Sequence, residues 1–192
     1  MMEWYEYVKI VGDVPNAELM YVLQNYDIGR EAVLDLASGS ARGARHCRAR
    51  GFKRVVTVDM HLGSLAYRAA GIEHYLALIQ DFMPDPDAFD LVYVWDGLRY
   101  LTIPQILRVI RNSLIGLKRG GIFACNVDCL KEGERRQHSI SSIFTEDTLM
   151  ALMSGFEILE LRELKVISNQ TVGGQRRNEH DHHELLVVAR KP

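Results

Sequence analysis

Val33-Leu34-Asp35-Leu36-Ala37-Ser38-Gly39-Ser40-Ala41-Arg42-Gly43 is the stretch that decides how the rest of the chain is read. Three apolar residues interleaved with Asp35 predict a short buried strand carrying an acid at its end. A run of small residues follows, and then the first turn of a helix. A strand, a tight turn and a helix in this order bring backbone N–H groups and a helix N-terminus beside a ligand.

Working outward, the first strand is predicted over 32–36 and the helix after the turn over 41–50, with Gly51 as its C′ residue. A second strand covers 54–59 and again ends in an acid, Asp59. A helix follows over 62–70, closed by Gly71. The third strand is predicted over 75–82, finishing on Asp81-Phe82. Pro84-Asp85-Pro86-Asp87 makes a turn, because neither proline continues a helix or a ladder there. The fourth strand, over 89–95, is apolar on both sides.

Pro104 opens a helix at its first position. Ile106, Leu107, Ile110, Leu114 and Leu117 form its stripe as far as Gly120-Gly121, and the fifth strand covers 122–127. Thr145 caps a helix that runs to Ser154-Gly155, with Glu146 and Asp147 suited to its N-terminus. Segments 156–167 and 184–190 read as a closing antiparallel pair around a polar loop containing Gly173-Gly174. Ahead of the first strand, residues 1–30 form a lead-in with a short amphipathic helix over 17–26. That helix either covers the ligand site or simply packs on the sheet. Strands alternating with helices imply βαβ units and a mostly parallel sheet covered on both faces. The expectation is one three-layer α/β domain spanning 1–192.

The 192-residue chain has ordinary globular composition, 47% hydrophobic and 25% charged, with a formal net charge of -2. That balance argues against a general nucleic-acid or membrane-surface binder. The basic groups Arg42-Arg45-Arg48-Arg50 and Arg135-Arg136 read as solvated faces. No apolar run approaches the roughly 18 residues needed to cross a bilayer. Cys47, Cys125 and Cys129 are three in number, form no CxxC pair and lack a histidine at metal-ligand spacing. They read as reduced thiols in a cytoplasmic protein with no metal.

In such a sheet the ligand lies outside the carboxyl ends of the strands, where strand order reverses. Asp59 at the end of the second strand is placed to accept hydrogen bonds from two ribose hydroxyls. Asp81 is suited to an exocyclic amine of adenine, with Phe82 over the ring. The turn separates two kinds of cofactor. A dinucleotide fingerprint needs G-x-G-x-x-G, whereas positions 37–42 read Ala-Ser-Gly-Ser-Ala-Arg and keep only the middle glycine. Small-x-Gly-x-small leaves space for an uncharged or cationic group rather than a diphosphate.

The same stretch resembles the first motif of class I S-adenosylmethionine-dependent methyltransferases, V-L-D-L-G-C-G-x-G. Asp59, Asp81-Phe82, Phe89-Asp90-Leu91-Val92 and Leu117-Lys118-Arg119-Gly120-Gly121 resemble later motifs of that family, with arginine where its L-K-P-G-G turn has proline. Thr102-Ile103-Pro104 and Val188-Ala189-Arg190-Lys191 are similar to its tellurite-resistance branch. The resemblance implies a Rossmann-like fold with a seven-stranded, mostly parallel sheet and an antiparallel C-terminal strand. It implies S-adenosylmethionine as cofactor and methyl transfer to a small-molecule acceptor, a small anion or a soft nucleophile. Asp35 and the backbone of Ala37, Ser38, Gly39 and Trp95 would hold the amino-acid end, Asp59 with Met60 the ribose side, and Asp81 with Phe82 the adenine. Ala37 and Ala41 stand where the family commonly has glycine.

Facing the acceptor are Trp4, Tyr5, Arg99, Tyr100 and His180-Asp181-His182-His183, with Arg99 or His182 or His183 as its partner or proton acceptor. Two other classes stay open: a non-catalytic binding module on the same fold, and a nicotinamide-dependent oxidoreductase disfavoured by the missing glycines.

Overall fold

The structure, a computed structural model, describes residues 14–61, 69–129, 145–168, 171–172, 175–176 and 180–192. In chain order the elements are α1 (Ala17–Asn25), β1 (Ala32–Leu36), α2 (Arg42–Ala49), β2 (Arg54–Asp59), β3 (Glu73–Leu76), β4 (Phe89–Val94) and a 3-10 turn (Leu98–Tyr100). They continue with α3 (Ile103–Gly116), β5 (Leu117–Cys129), α4 (Glu146–Leu152), β6 (Glu157–Ser168), β7 (Thr171–Val172), β8 (Gln175–Arg176) and β9 (His180–Arg190).

Seven strands make one sheet in the order β3-β2-β1-β4-β5-β9-β6, and β7 pairs with β8 separately. The first five are parallel to one another. β9 enters antiparallel between β5 and β6. Alternation along β1 shows why the sheet needs cover on both sides. Val33 joins Leu19, Val22, Ala44 and Cys47 in a core beneath α1 and α2. Leu34 and Leu36 join Ile106, Ile110, Leu149 and Met153 in a core beneath α3 and α4. The three-layer, seven-stranded expectation holds, and the chain changes direction between β1 and β4.

Several boundaries differ from the sequence reading. The third strand stops at Leu76 rather than 82, because Asp81 and Phe82 both donate their N–H groups to the Leu78 carbonyl and turn the chain. β5 starts at Leu117 rather than 122. Phe89 pairs with Leu117, the Gly120 N–H donates to the Lys191 carbonyl, and the Lys191 N–H donates to the Gly121 carbonyl. Along α3 the buried stripe is Ile106, Val109, Ile110, Ser113 and Gly116, so Leu107 and Leu114 lie only at its margin. β9 begins at His180 rather than 184. The Thr145 hydroxyl accepts the Thr148 N–H and caps α4 as expected. Most of the helix expected over 62–70, together with Trp4 and Tyr5, lies outside the described residues.

α1 packs across the sheet face through Leu19, Val22 and Leu23. Its Tyr21 and the following Tyr26 both donate to the Glu160 carboxylate on β6, while Arg162 stacks over the Tyr21 ring at 3.9 Å. Cys47 and Cys125 are buried free thiols, which burial pushes up to about 12. Among the described residues, no helix is long and apolar enough to cross a membrane.

Candidate functional site

The turn from β1 into α2 is fixed to β2 rather than to its own side chains. Ala37 and Ser38 donate their N–H groups to the Val58 carbonyl at 2.9 and 3.2 Å. Gly39 donates to Asp59 Oδ2 at 2.7 Å, and His61 donates to Asp59 Oδ1 at 2.8 Å. Each oxygen of Asp59 therefore holds one backbone donor and keeps capacity for another. Gly39 has φ 52, and a Cβ built there meets nothing within 4 Å among the described residues, so they leave the turn open on that side. Next to Asp59, Met60, Leu76 and Leu78 are 65%, 47% and 41% exposed, an apolar surface at the carboxyl ends of β2 and β3.

Asp35 sits on the inner side of the same turn. Its carboxyl is 4% exposed and accepts the Ala44 N–H in the first turn of α2. Ala41, the cap of that helix, is left-handed with φ 56 and offers no side-chain acceptor, so Asp35 serves the helix N-terminus from below. The Tyr93 hydroxyl faces Asp35 and Cys47 without a hydrogen bond of ordinary geometry. Burial pushes the Asp35 carboxyl from its ordinary 3.8 up to about 7, tempered by the Tyr93 phenol and raised further by the Asp59 carboxylate.

An acid raised in this way weakens the fold as it ionises. Below about pH 4 it is neutral in folded and unfolded chains alike, and the cost is absent; the cost grows with pH and is complete above about pH 7. Asp35→Asn keeps an acceptor for Ala44 and removes the charge. At about 1.4 kcal/mol per pH unit, the variant is expected to gain about 3 kcal/mol over the unmutated chain between pH 4.5 and pH 8. Thermal melts at the two pH values check it. An equal offset at both would show that the ionised carboxylate is not a burden.

The turn after β4 faces the turn after β1. Asp96 is left-handed with φ 58, held by its N–H donating to Asn126 Oδ1 at 2.7 Å. A Cβ built on Gly97 would stand 2.6 Å from the Ala37 Cβ and 3.0 Å from Val94 Cγ1. Gly97→Ala is therefore expected to lose about 1–3 kcal/mol by overpacking. Adding Ala37→Gly removes the opposing methyl and is expected to recover most of the loss. Denaturant unfolding of the four chains measures the coupling, and additive losses would contradict the contact.

Beyond Gly97, Arg99 donates to Asp96 Oδ1 at 2.9 Å and Glu184 Oε1 at 2.6 Å, and lies 3.3 Å from Asp128 Oδ1. Asn126 Nδ2 closes the network on Glu184 Oε2 at 2.8 Å. Burial alone would push Arg99 down, but the three carboxylates outweigh it and keep the guanidinium charged. Sequence reasoning picked out Arg99 and missed Asp96, Asn126, Asp128 and Glu184. The available signal was a polar side chain at alternate positions of an otherwise apolar strand.

The remaining expected residues fall in three places. Ala37, Ser38, Gly39, Asp59 and Met60 come together at the β1–β2 edge. Trp95 is 7% exposed and stacks on Tyr93 at 6.0 Å; its Nε1 finds no partner among the described residues. Asp81 and Phe82 are not brought to that edge. Asp81 accepts from Arg108 of α3 at 3.2 Å. Phe82 packs on Tyr75 and lines a cavity of about 230 Å³ with Arg54, Val56 and Phe89. Tyr100 is 74% exposed on the 3-10 turn. His182 and His183 lie on β9, in register with Val166 and Lys165.

This arrangement of turn, acid and strand order agrees with comparison. Residues 34–125 match the methyltransferase domain family. No curated protein matches the chain. Among solved structures, TehB from Haemophilus influenzae superposes with a TM-score of 0.77 at 17% identity, covering 99% of this chain and 68% of that one. Phosphoethanolamine N-methyltransferase 2 from Haemonchus contortus, solved with S-adenosyl-L-methionine, gives 0.76 at 14% identity, covering 98% and 56%. The [4+2]-cyclase SpnF gives 0.71 at 17% identity, covering 91% and 79%. These likenesses show the fold and nothing beyond it. A cyclase on the same fold shows that reaction type belongs to the site and not to the architecture.

An adenosyl group fits the residues present. Asp59 offers two oxygens with spare acceptor capacity, Gly39 leaves open space above the turn, and Met60, Leu76 and Leu78 offer an apolar face to a base.

Proposed function

We propose that the protein is an S-adenosylmethionine-dependent methyltransferase acting on a small-molecule acceptor. The observation that carries this reading is the Asp59 carboxylate. It ties the Gly39 turn to the end of β2 and still presents acceptor capacity at the carboxyl ends of the strands, one strand from the switch point.

When bound, the cofactor supplies an already activated methyl group, so the protein has little covalent work to do. Its own residues bind, orient and exclude water. Asp59 receives the ribose hydroxyls. Met60, Leu76 and Leu78 cover the adenine, in place of Asp81 and Phe82, which the turn at Leu78 carries elsewhere. Gly39 lets the ligand approach the backbone closely, since any side chain there would need the left-handed conformation that glycine adopts at least cost.

The acceptor would enter beside the 3-10 turn, where Tyr100 is exposed. Arg99 is a poor partner for an anion, because its charge is already shared among Asp96, Asp128 and Glu184. A neutral, soft nucleophile fits that side better than a small anion. The likeness to TehB is compatible with the tellurite-resistance branch and goes no further than the fold.

Calorimetry with S-adenosylhomocysteine tests the cofactor reading, and absence of heat would sink it. Incubation with methyl-labelled cofactor and a cell extract, followed by identification of the labelled product, tests transfer and names the acceptor. Cofactor binding with no labelled product from any extract would favour the non-catalytic module.

A further inference from the structure

The cavity lined by Phe82 shares no residue with the Asp59 edge or the Arg99 network. β2 supplies Arg54 and Val56, two residues apart and therefore on one face of the sheet. β4 supplies Phe89 from across β1, whose residue level with Arg54 is Ala32, so β1 fills that part of the face with a single methyl. Tyr75 of β3 and Phe82 close one side, their rings 5.3 Å apart. The space left is about 230 Å³, whereas an apolar cavity of about 150 Å³ already takes up benzene.

The walls are held from outside, so the cavity exists before any ligand enters. The Phe82 carbonyl accepts Asn112 Nδ2 of α3 at 3.0 Å. The Asp87 and Ala88 N–H groups donate to the Ile115 and Gly116 carbonyls at 3.0 and 2.9 Å, so the segment 82–88 is tied to α3 at both ends. Val56 and Phe89 are buried, whereas Tyr75, Met83 and Asp85 are exposed, and the cavity opens to solvent on their side.

The lining selects a ligand. Three aromatic rings offer faces and edges to a further ring. The Arg54 guanidinium lies 5.5 Å from the centre of the Phe89 ring, where it favours an electron-rich π system. Glu73 takes its Nε and Nη2 at 2.9 and 3.0 Å, and Asp85 takes its Nη1 at 3.4 Å. An anion would meet these two carboxylates, and a cation would meet the guanidinium. Asp85 Oδ1 accepts from no donor among the described residues and suits an N–H or O–H.

We propose that this cavity is a second ligand site, taking a neutral, electron-rich aromatic of one or two fused rings that donates an N–H or O–H to Asp85. Indoles and phenols have that form. The ring meets Tyr75, Phe82 and Phe89, and its donor points toward the exposed side. The site is independent of the cofactor reading.

Titration of the isotope-labelled full chain with indole, followed by amide NMR, tests it. Saturable shifts are expected at the amides of Val56, Tyr75, Phe82 and Asp85, and none at Gly39 or His61. N-methylindole lacks the donor and is expected to bind about fivefold more weakly. Tyr75→Ala, a truncation on an exposed edge strand, is expected to weaken indole by about tenfold. The two indoles decide the matter in the unmutated chain even if that variant is unstable. Saturating S-adenosylhomocysteine is expected to leave indole affinity within about twofold. No saturable shift at the cavity amides would overturn the site, and equal affinity for N-methylindole would overturn the ligand class. Displacement of indole by S-adenosylhomocysteine would make the cavity part of the cofactor site and overturn its independence. Indole binding in a chain that does not bind S-adenosylhomocysteine would remove the cofactor reading and leave this site standing.

Discussion

Replacing Arg99 with leucine is expected to remove about 3–5 kcal/mol of folding stability near pH 8, because it strands buried carboxylates without their counter-charge. Glu184 and Asp128 are 6% and 7% exposed at their side chains, and Arg99 itself is 17% exposed, so water replaces little of the lost interaction. Asp96, at 40%, is partly solvated and contributes less. Leucine matches the aliphatic stem but supplies none of the guanidinium donors. Arg99→Lys keeps the charge and loses the fork, so its loss is expected to be smaller, about 1–2 kcal/mol. The pH dependence fixes the cause. Unpaired buried carboxylates bind protons more tightly in the folded chain than in the unfolded one. The deficit of the leucine variant therefore shrinks as the pH falls toward 4 and grows as it rises. Urea unfolding at pH 5 and pH 8 measures both quantities. A loss below about 1 kcal/mol, the same at both pH values, would mean that the carboxylates are effectively solvated.

The difference between Arg99 and Asp59 shows what a sequence can and cannot convey about a site. The strand, turn and helix around Asp35 were legible because each rests on local chemistry: a short apolar run, small residues, and glycine at Gly39 and Gly51, both with positive φ. Asp59 was legible for the same reason, as the acid that ends an apolar strand and reaches back only 20 residues to Gly39. The third strand was misread because the apolar run Tyr75 to Ile79 serves two purposes. Part of it is an edge strand with an exposed face, and Ile79 turns into the core beneath α3 and α4. Its closing acid, Asp81, answers Arg108 from 27 residues away.

The Arg99 network is more remote still, with Glu184 separated by 85 residues and Asn126 from Glu184 by 58. No local pattern states that an arginine after β4 will meet an acid on the last strand, since that pairing exists only once β9 inserts between β5 and β6. Ala37 is an intermediate case. Its departure from glycine was visible, but its consequence, contact with Gly97, depends on how the turns after β1 and β4 face each other.

Asp59→Ala is expected to weaken S-adenosylhomocysteine binding by about a hundredfold or more, equivalent to about 3 kcal/mol. The variant loses two effects at once. The ribose hydroxyls lose a charged acceptor, and hydrogen bonds to a charged group are each worth about 1.5–3 kcal/mol. The Gly39 and His61 N–H groups lose the oxygens they reach at 2.7 and 2.8 Å, so the turn over which the ligand lies loses its anchor to β2. The second effect also appears without ligand, as a fall in stability of about 2 kcal/mol, or roughly 4–8 °C in Tm for a chain of this size. Asp59→Asn separates the two. Its carbonyl oxygen can keep one of the two backbone bonds, so stability is expected to fall by about half as much or slightly more. Ribose binding still suffers, because the amide has one acceptor oxygen to divide between turn and ligand. Calorimetry and thermal melts on the three chains measure affinity and stability together. Equal binding in all three would remove Asp59 from the ligand site and leave it only as the brace of the β1 turn.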